Sequence, residues 1–215
     1  MKNKLSRPVL FTFVGLPGSG KTFLSRQLAD KLEAVHISAE EIRFELFEKP
    51  TFSPEEEGVV KHMMLMMTER FLNAGLSVVY DVSLNKLADR REIKNIASKL
   101  KAETMLIWQQ IDPQTAFSRV SSRSEKNSDN KFAVRLDKDT FKEISTHIQT
   151  PTNEEAVVVS GKHSFTGQLA SIIRRLFELQ LIEDRSLSKH LPNPGMFNLI
   201  AQTQTNLQRR NVRIG

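Results

Sequence analysis

Apolar residues along this chain fall into short unbroken runs, and between the runs they recur every three or four positions. Val9-Leu10-Phe11-Thr12-Phe13-Val14 is the first run and stops at Gly15. Its length and its branched and aromatic content predict a buried strand. Helical spacing follows at Phe23, Leu24, Leu28 and Leu32. Val35-His36-Ile37 reads as a second strand and residues 39–47 as a short helix. Pro50 and Pro54 punctuate the next loop. Pro54 with Glu55, Glu56 and Glu57 then opens a long helix to residue 73, with proline and acids where a helix N-terminus favours them, and Gly75 ends it. Residues 76–80 give a third strand ending at Asp81, residues 86–101 a helix, and residues 104–111 a fourth strand stopped by Asp112-Pro113. A helix over 114–122 leads into a polar stretch at 124–131. Residues 137–148 are helical, Ala156-Val157-Val158-Val159 is a fifth strand, and 165–182 form the last long helix. The tail from Ser186, with Pro192, Pro194 and Gly195, has no clear period.

Strands alternating with helices predict an α/β protein whose mostly parallel five-stranded sheet is covered on both faces. No internal repeat or low-complexity segment interrupts this order. Met63, Met64, Met66 and Met67 lie in the long helix, where adaptable core or lid packing suits them.

Composition narrows the class. The 215 residues are 39% hydrophobic and 26% charged, which fits one folded domain with a substantial core. We place that domain over residues 1–184 and a basic C-terminal tail over 185–215. The chain has no cysteine, which excludes a disulfide framework, a zinc ribbon and a thiol nucleophile, and fits a cytoplasmic location. No apolar run approaches the roughly 20 residues of a membrane helix, and the run from Val9 to Val14 is shorter than a signal-peptide core. No membrane partner is expected. The net charge is +6, and Arg209, Arg210 and Arg213 follow Asp184 with no acid between. Such a tail is either a solvated terminus or a contact for nucleic acid or another polyanion.

The chemistry concentrates in Gly15-Leu16-Pro17-Gly18-Ser19-Gly20-Lys21-Thr22, which meets the spacing G-x-x-x-x-G-K-[ST] between a strand and a helix. Glycines let the backbone curl so that its N–H groups face phosphate oxygens, and the helix beginning near Lys21 adds its positive end. Lys21 should reach the β- and γ-phosphates of ATP, the Thr22 hydroxyl should hold Mg²⁺, and Phe23 completes the nucleotide-binding set. Asp81, at the end of an apolar strand, is placed to complete the Mg²⁺ shell; the alternative is an ordinary capping aspartate. Glu40, Glu41 and Arg43 come just past the second strand, at the same edge of the sheet. An acid there could take a proton from an attacking hydroxyl, and the arginine could bind an anionic acceptor. Either glutamate fits, and acids in a first helical turn are also commonplace. Arg119 and Arg123, four apart on one predicted helix face, could neutralise the transferring phosphoryl from a helical lid or could be a solvated face.

These residues together resemble a family of P-loop kinases that includes polynucleotide kinase, zeta toxin and chloramphenicol phosphotransferase. The resemblance covers roughly the first 180 residues. It rests on the glycine-rich loop, on Ser38-Ala39-Glu40-Glu41-Ile42-Arg43, on Val79-Tyr80-Asp81-Val82-Ser83-Leu84-Asn85 with Arg90 and Arg91, and on Arg119 with Arg123. It implies a three-layer P-loop NTPase fold with a helical lid. It also implies a base at Glu40, acceptor binding at Arg43, a supporting hydroxyl at Ser83, and lid arginines at Arg119 and Arg123. The family's base is usually aspartate, so Glu40 departs from the pattern by one methylene. The turn Ser160-Gly161-Lys162-His163-Ser164 would lie near the nucleotide base, and the acceptor pocket would come from residues 44–73.

Two other nucleotide-dependent classes fit less well. Asn85-Lys86-Leu87-Ala88-Asp89 is one residue too long for a guanine-reading N-K-x-D, and Leu84 stands where a GTPase switch has glycine after Asp81. Motor ATPases place glutamate directly after the strand-end acid, and here that residue is Val82. The reading is therefore an ATP-dependent kinase that moves the γ-phosphoryl to a hydroxyl, with a non-kinase ATPase or a nucleotide-dependent binding module as the alternative. The acceptor is a nucleotide, a polynucleotide end or a small molecule.

Overall fold

Every residue of β1 (Val9–Val14) is buried, as befits a strand in the middle of a sheet with helices on both faces. The computed structural model describes residues 5–123 and 134–182. The remaining elements are α1 (Lys21–Leu32), β2 (Val35–Ser38), α2 (Ala39–Leu46), α3 (Pro54–Asn73), β3 (Val78–Ser83), α4 (Leu87–Lys99), β4 (Glu103–Gln110), α5 (Pro113–Ser121), α6 (Lys138–Thr146), β5 (Ala156–Ser160) and α7 (Phe165–Glu178). The strands lie in the order β2-β3-β1-β4-β5, and every pairing is parallel. The polar stretch expected at 124–131 and the tail expected at 185–215 fall outside the described residues, apart from this placement in sequence.

The core follows the apolar runs. On one face Leu10, Ile37, Val78 and Tyr80 from the strands pack against Val60, Met64 and Leu72 of α3 and Ile93 and Ala97 of α4. Met64 is thus a core residue, as its helical position suggests. No described helix is long and apolar enough to cross a membrane.

Several boundaries shift from the sequence reading, and two of the shifts have a clear local reason. The third strand does not stop at Asp81. Thr12 pairs with Tyr80, but Phe13 pairs with Ser83, so β3 carries a bulge over Asp81 and Val82 and then resumes. A bulge leaves residues unpaired on one side and re-aims their side chains, and Asp81 pairs instead with Ser38 of β2. The last helix ends at Glu178 rather than near residue 182. Gln180 turns left-handed at φ 57°, its N–H bonds Phe177 O at 2.9 Å, and Leu181 N–H bonds Leu176 O at 2.8 Å. That pair of reversed bonds is a Schellman closure, which stops a helix even where apolar residues continue.

Arg90 of α4 fastens the site's floor. It is 4% exposed. Its Nε and Nη2 donate to Glu154 Oε1 at 2.9 and 2.7 Å, and Nη1 donates to Leu84 O at 2.8 Å. Truncation would strand a carboxylate and a carbonyl. Arg90→Ala is expected to destabilise the fold by about 3 kcal/mol, read as a lower urea midpoint at an unchanged slope. A loss below about 1 kcal/mol would mean the clamp is no stronger than a surface pair.

Candidate active site

The loop after β1 is shaped by crowding. Gly15 has φ 148° and Gly18 φ 81°, conformations that favour glycine. A β-carbon on Gly15 would run into the Gln109 carbonyl of β4, and one on Gly18 into the Ala116 carbonyl of α5. The loop closes through Ser19 N–H to Leu16 O at 3.1 Å. Helix α1 then begins at Gly20 with no side-chain cap. By contrast Ser38, Ser53, Asp112, Asp137 and Ser164 cap α2, α3, α5, α6 and α7. The first-turn N–H groups of α1 are therefore left for water or an anion.

Pro17, Gly18, Gly20, Lys21, Thr22 and Phe23 line a crevice of about 720 Å³, while Gly15 and Ser19 lie buried beneath the loop. Lys21 Nζ donates to Gly15 O and Leu16 O, both at 2.8 Å, and to Ser19 Oγ at 3.3 Å. Burial lowers its pKa to about 8, against the raising effect of Asp81 and Glu40.

Asp81 reaches the same crevice from the β3 bulge and is 3% exposed. Its Oδ1 accepts from Thr22 Oγ1 at 3.4 Å. Its Oδ2 lies 3.0 Å from His36 Nε2, which is also 3.2 Å from Ser25 Oγ. The Ser25 hydroxyl donates to Thr22 O at 2.9 Å, so both neighbours of the imidazole nitrogen are acceptors and Nε2 must carry the proton. From the sequence, His36 has only a place in the second strand. Its one signal was register: His36 stands two residues before Ser38, the strand partner of Asp81.

The paired glutamates separate. Ser38 caps α2, accepting from Glu41 N–H at 3.3 Å, which sets both acids in the first turn. Glu41 pairs with Arg26 Nη2 at 2.9 Å. Glu40 lines the crevice instead. Burial raises the Glu40 pKa, and the charge of Asp81 raises it further, while Lys21 and Arg43 pull the other way.

Arg43 does not line the crevice. It is 4% exposed, bonds Glu56 at 3.4 Å and Glu57 more closely, and lies 4.8 Å from the centre of the Phe52 ring. Phe52, against which Arg43 stacks, lines the crevice wall. Phe52 is itself left-handed at φ 57°, uncommon for a bulky residue. Glu56 holds it there, accepting from Phe52 N–H at 2.9 Å, Thr51 N–H at 2.8 Å and Thr51 Oγ1 at 2.7 Å. No sequence motif announces this clasp beyond Ser53 and Glu56 at capping-box spacing.

The two arginines expected on one lid face also part. Helix α5 ends at Ser121, so Arg123 lies beyond it. Arg123 lines the crevice and bonds Val134 O at 3.1 Å. Arg119 bonds Gly161 O at 3.0 Å, in the turn after β5. Lys162 of that turn pairs with Asp112 at 2.6 Å and, by its hydrogen bond, holds the Asp112 carboxyl well below the usual range. Ser83 Oγ lies 2.8 Å from Asn85 Oδ1 and 3.2 Å from Gly15 O, at the crevice edge.

Residues 10–150 match a family model described as an AAA domain. No curated protein matches the chain. Solved structures of similar fold include a gluconokinase from Sinorhizobium meliloti 1021, with 15% identity over 81% of this chain and 95% of that one and a TM-score of 0.55. Chaetomium thermophilum Kti12 in complex with ADP-AlF3 aligns with 15% identity over 82% and 100%, at a TM-score of 0.64. The Mycobacterium tuberculosis APS kinase CysC in complex with AMPPNP and APS aligns with 16% identity over 80% and 98%, at 0.56. At such identities the likeness is one of fold, and the fold is that of the P-loop NTPases.

The crowding of Glu40 by Asp81 is directly measurable. A carbon-detected NMR titration should place the Glu40 carboxyl above the ordinary glutamate value, and Asp81→Asn should lower it by removing the nearby negative charge. A Glu40 value unmoved by Asp81→Asn would show that the two carboxylates do not share a field.

Proposed function

The chain belongs to this AAA-domain family, and from that premise we propose that it is an ATP-dependent kinase that transfers the γ-phosphoryl group to an alcohol. One observation carries the reading: Glu40, with its raised pKa, shares a single crevice with Lys21, Asp81 and the glycine-rich loop. A motor ATPase carries its water-activating glutamate directly after the strand-end acid, where this chain has Val82, and Glu40 instead stands on α2. A buried carboxylate whose proton affinity is raised suits a general base acting on a second substrate.

In the proposed reaction the loop N–H groups and Lys21 hold the β- and γ-phosphates. The acceptor oxygen bonds to the γ-phosphorus as its proton passes to the Glu40 carboxylate. The bond from that phosphorus to the bridging oxygen breaks, and ADP leaves with the electron pair. Arg123, at the crevice wall, neutralises charge on the transferring group. Thr22 Oγ1 and Asp81 Oδ1, 3.4 Å apart, are the hard oxygen donors that Mg²⁺ takes, so these two residues would hold it. When bound it would supply charge neutralisation on the donor phosphates. His36 fixes the Asp81 carboxylate from the other side.

A second reading, an ATPase or a nucleotide-gated binding module, draws on the burial of Arg43 among Glu56 and Glu57, away from any acceptor. A panel of hydroxyl acceptors with labelled ATP separates the two. Label transferred to an alcohol supports the kinase; ATP bound, with label released only to water or not at all, favours the second reading.

The acid–base roles give a pH profile. Glu40 acts as base only when deprotonated, so kcat/KM should rise with pH through a pKa above the ordinary glutamate value. Lys21 binds phosphate only when protonated, so kcat/KM should fall as pH passes about 8. Glu40→Gln should lower kcat by about 100-fold or more, remove the acid limb, and leave ATP affinity nearly unchanged. An acid limb that survives Glu40→Gln would assign the base elsewhere.

A further inference from the structure

A second hollow of about 360 Å³ lies between α3, α4 and the end of β3. It meets the nucleotide crevice at Val82, Ser83 and Asn85, which line both. Its size falls in the range of small-molecule sites, roughly 300–1,000 Å³. Val60, Met64, Leu65, Tyr80, Leu84 and Ile93 give it an apolar body.

The charges around this hollow are arranged differently from those on the nucleotide side. Lys61 Nζ stands 2.9 Å from Asp89 Oδ1 and 2.7 Å from Glu92 Oε2. Arg43 is bonded to Glu56 and Glu57. Arg90 is forked on Glu154. Each of these cations is already neutralised by carboxylate, and Glu57, Asp89 and Glu92 all face the hollow. Lys86 is the other lining cation and is exposed at the N-cap position before α4. On the nucleotide side, Lys21 and Arg123 make hydrogen bonds to backbone carbonyls, and Lys21 also to Ser19 Oγ, while Asp81 and Glu40 act on Lys21, and Glu40 on Arg123, through space rather than in an ion pair. A phosphate or carboxylate entering the body of the hollow would meet these acids or have to pull Lys61 from two of them, with Lys86 reached at the exposed edge.

We propose that this hollow is the acceptor chamber, and that the acceptor is a small alcohol with an apolar body and no negative charge of its own. The proposal rests on the kinase reading and narrows it: phosphorylated nucleotides and polynucleotide ends are disfavoured, although the chain as a whole is basic. Ser83 and Asn85, at the junction of the two hollows, are the polar groups that would orient the acceptor hydroxyl towards the nucleotide crevice.

The test uses the full chain with a non-hydrolysable ATP analogue in the crevice. Matched probes are titrated by ligand-observed NMR: 3-phenylpropane-1,2-diol and its phosphate monoester, adenosine and adenosine 3′-monophosphate, and a 5′-hydroxyl RNA oligonucleotide. Within the pairs that bind, the uncharged alcohol should bind at least about tenfold more tightly than its monoester. Leu65→Trp, which narrows the chamber at a half-buried position, should weaken alcohol binding by about tenfold with analogue binding intact. Asp89→Asn with Glu92→Gln, which frees Lys61, should narrow or reverse the preference against the monoester. Monoesters or RNA binding as tightly as the alcohols, no binding by any probe, or indifference to Leu65→Trp would each overturn the proposal. Alcohol bound in the chamber but never phosphorylated by ATP would instead count against the kinase reading and leave the chamber standing.

Discussion

All five strands run the same way, and that single constraint gathers the chemistry at one edge. Gly15, Ser38, Ser83, Gln110 and Ser160 are each the last strand residue or its immediate successor. Parallel pairing forces their carboxyl ends together, and β1, buried at every position, holds the row in the middle. Within that row a bulge in β3 turns Asp81 away from β1 and towards β2. The consequence is a carboxylate gripped by His36 on one side and Thr22 on the other. Asp81, the glycine-rich loop and Glu40 of α2 thus share one crevice because of strand direction, before any side-chain chemistry is considered.

The cations sort by partner. Arg26, Arg43, Lys61 and Arg90 pair with carboxylates, so their role is to fix α1 to α2, α2 to α3, α3 to α4, and α4 to the loop before β5. Lys21, Arg119 and Arg123 lean on carbonyl oxygens. A carbonyl leaves the positive charge largely in place, whereas a carboxylate cancels it. Net charge counted over the whole sequence hides this division.

The layout of the fold was legible because each strand is a short apolar run and each helix an interrupted one. The phosphate loop was legible because its glycines, Lys21 and Thr22 are contiguous. What escaped the sequence depends on contacts between distant segments. The bulge at Asp81 needs the register with β1. The close of α7 needs a left-handed Gln180, which its apolar neighbours Leu181 and Ile182 concealed. Glu40 and Glu41 could not be told apart until Arg26 claimed one of them. Arg43 has the spacing of an acceptor-binding arginine, but its place beside Glu56 and Glu57 follows from the way α2 and α3 pack. Arg119 and Arg123 were read as one face because the helix end at Ser121 has no proline or glycine to mark it.

Helix α1 carries one more consequence. Helices α2 and α5 begin under a serine and an aspartate whose side chains bond their first-turn amides, and α1 begins under a bare glycine. Water can satisfy its leading amides, but only an anion completes them and meets the positive end of the helix at once. Part of the hydrogen bonding that other helices build into their own sequence is here left to a ligand. By mass action the folded state then becomes more populated as that ligand's concentration rises above its dissociation constant. An anion that fills this place is a missing cap as well as a ligand, and it stabilises the fold that binds it.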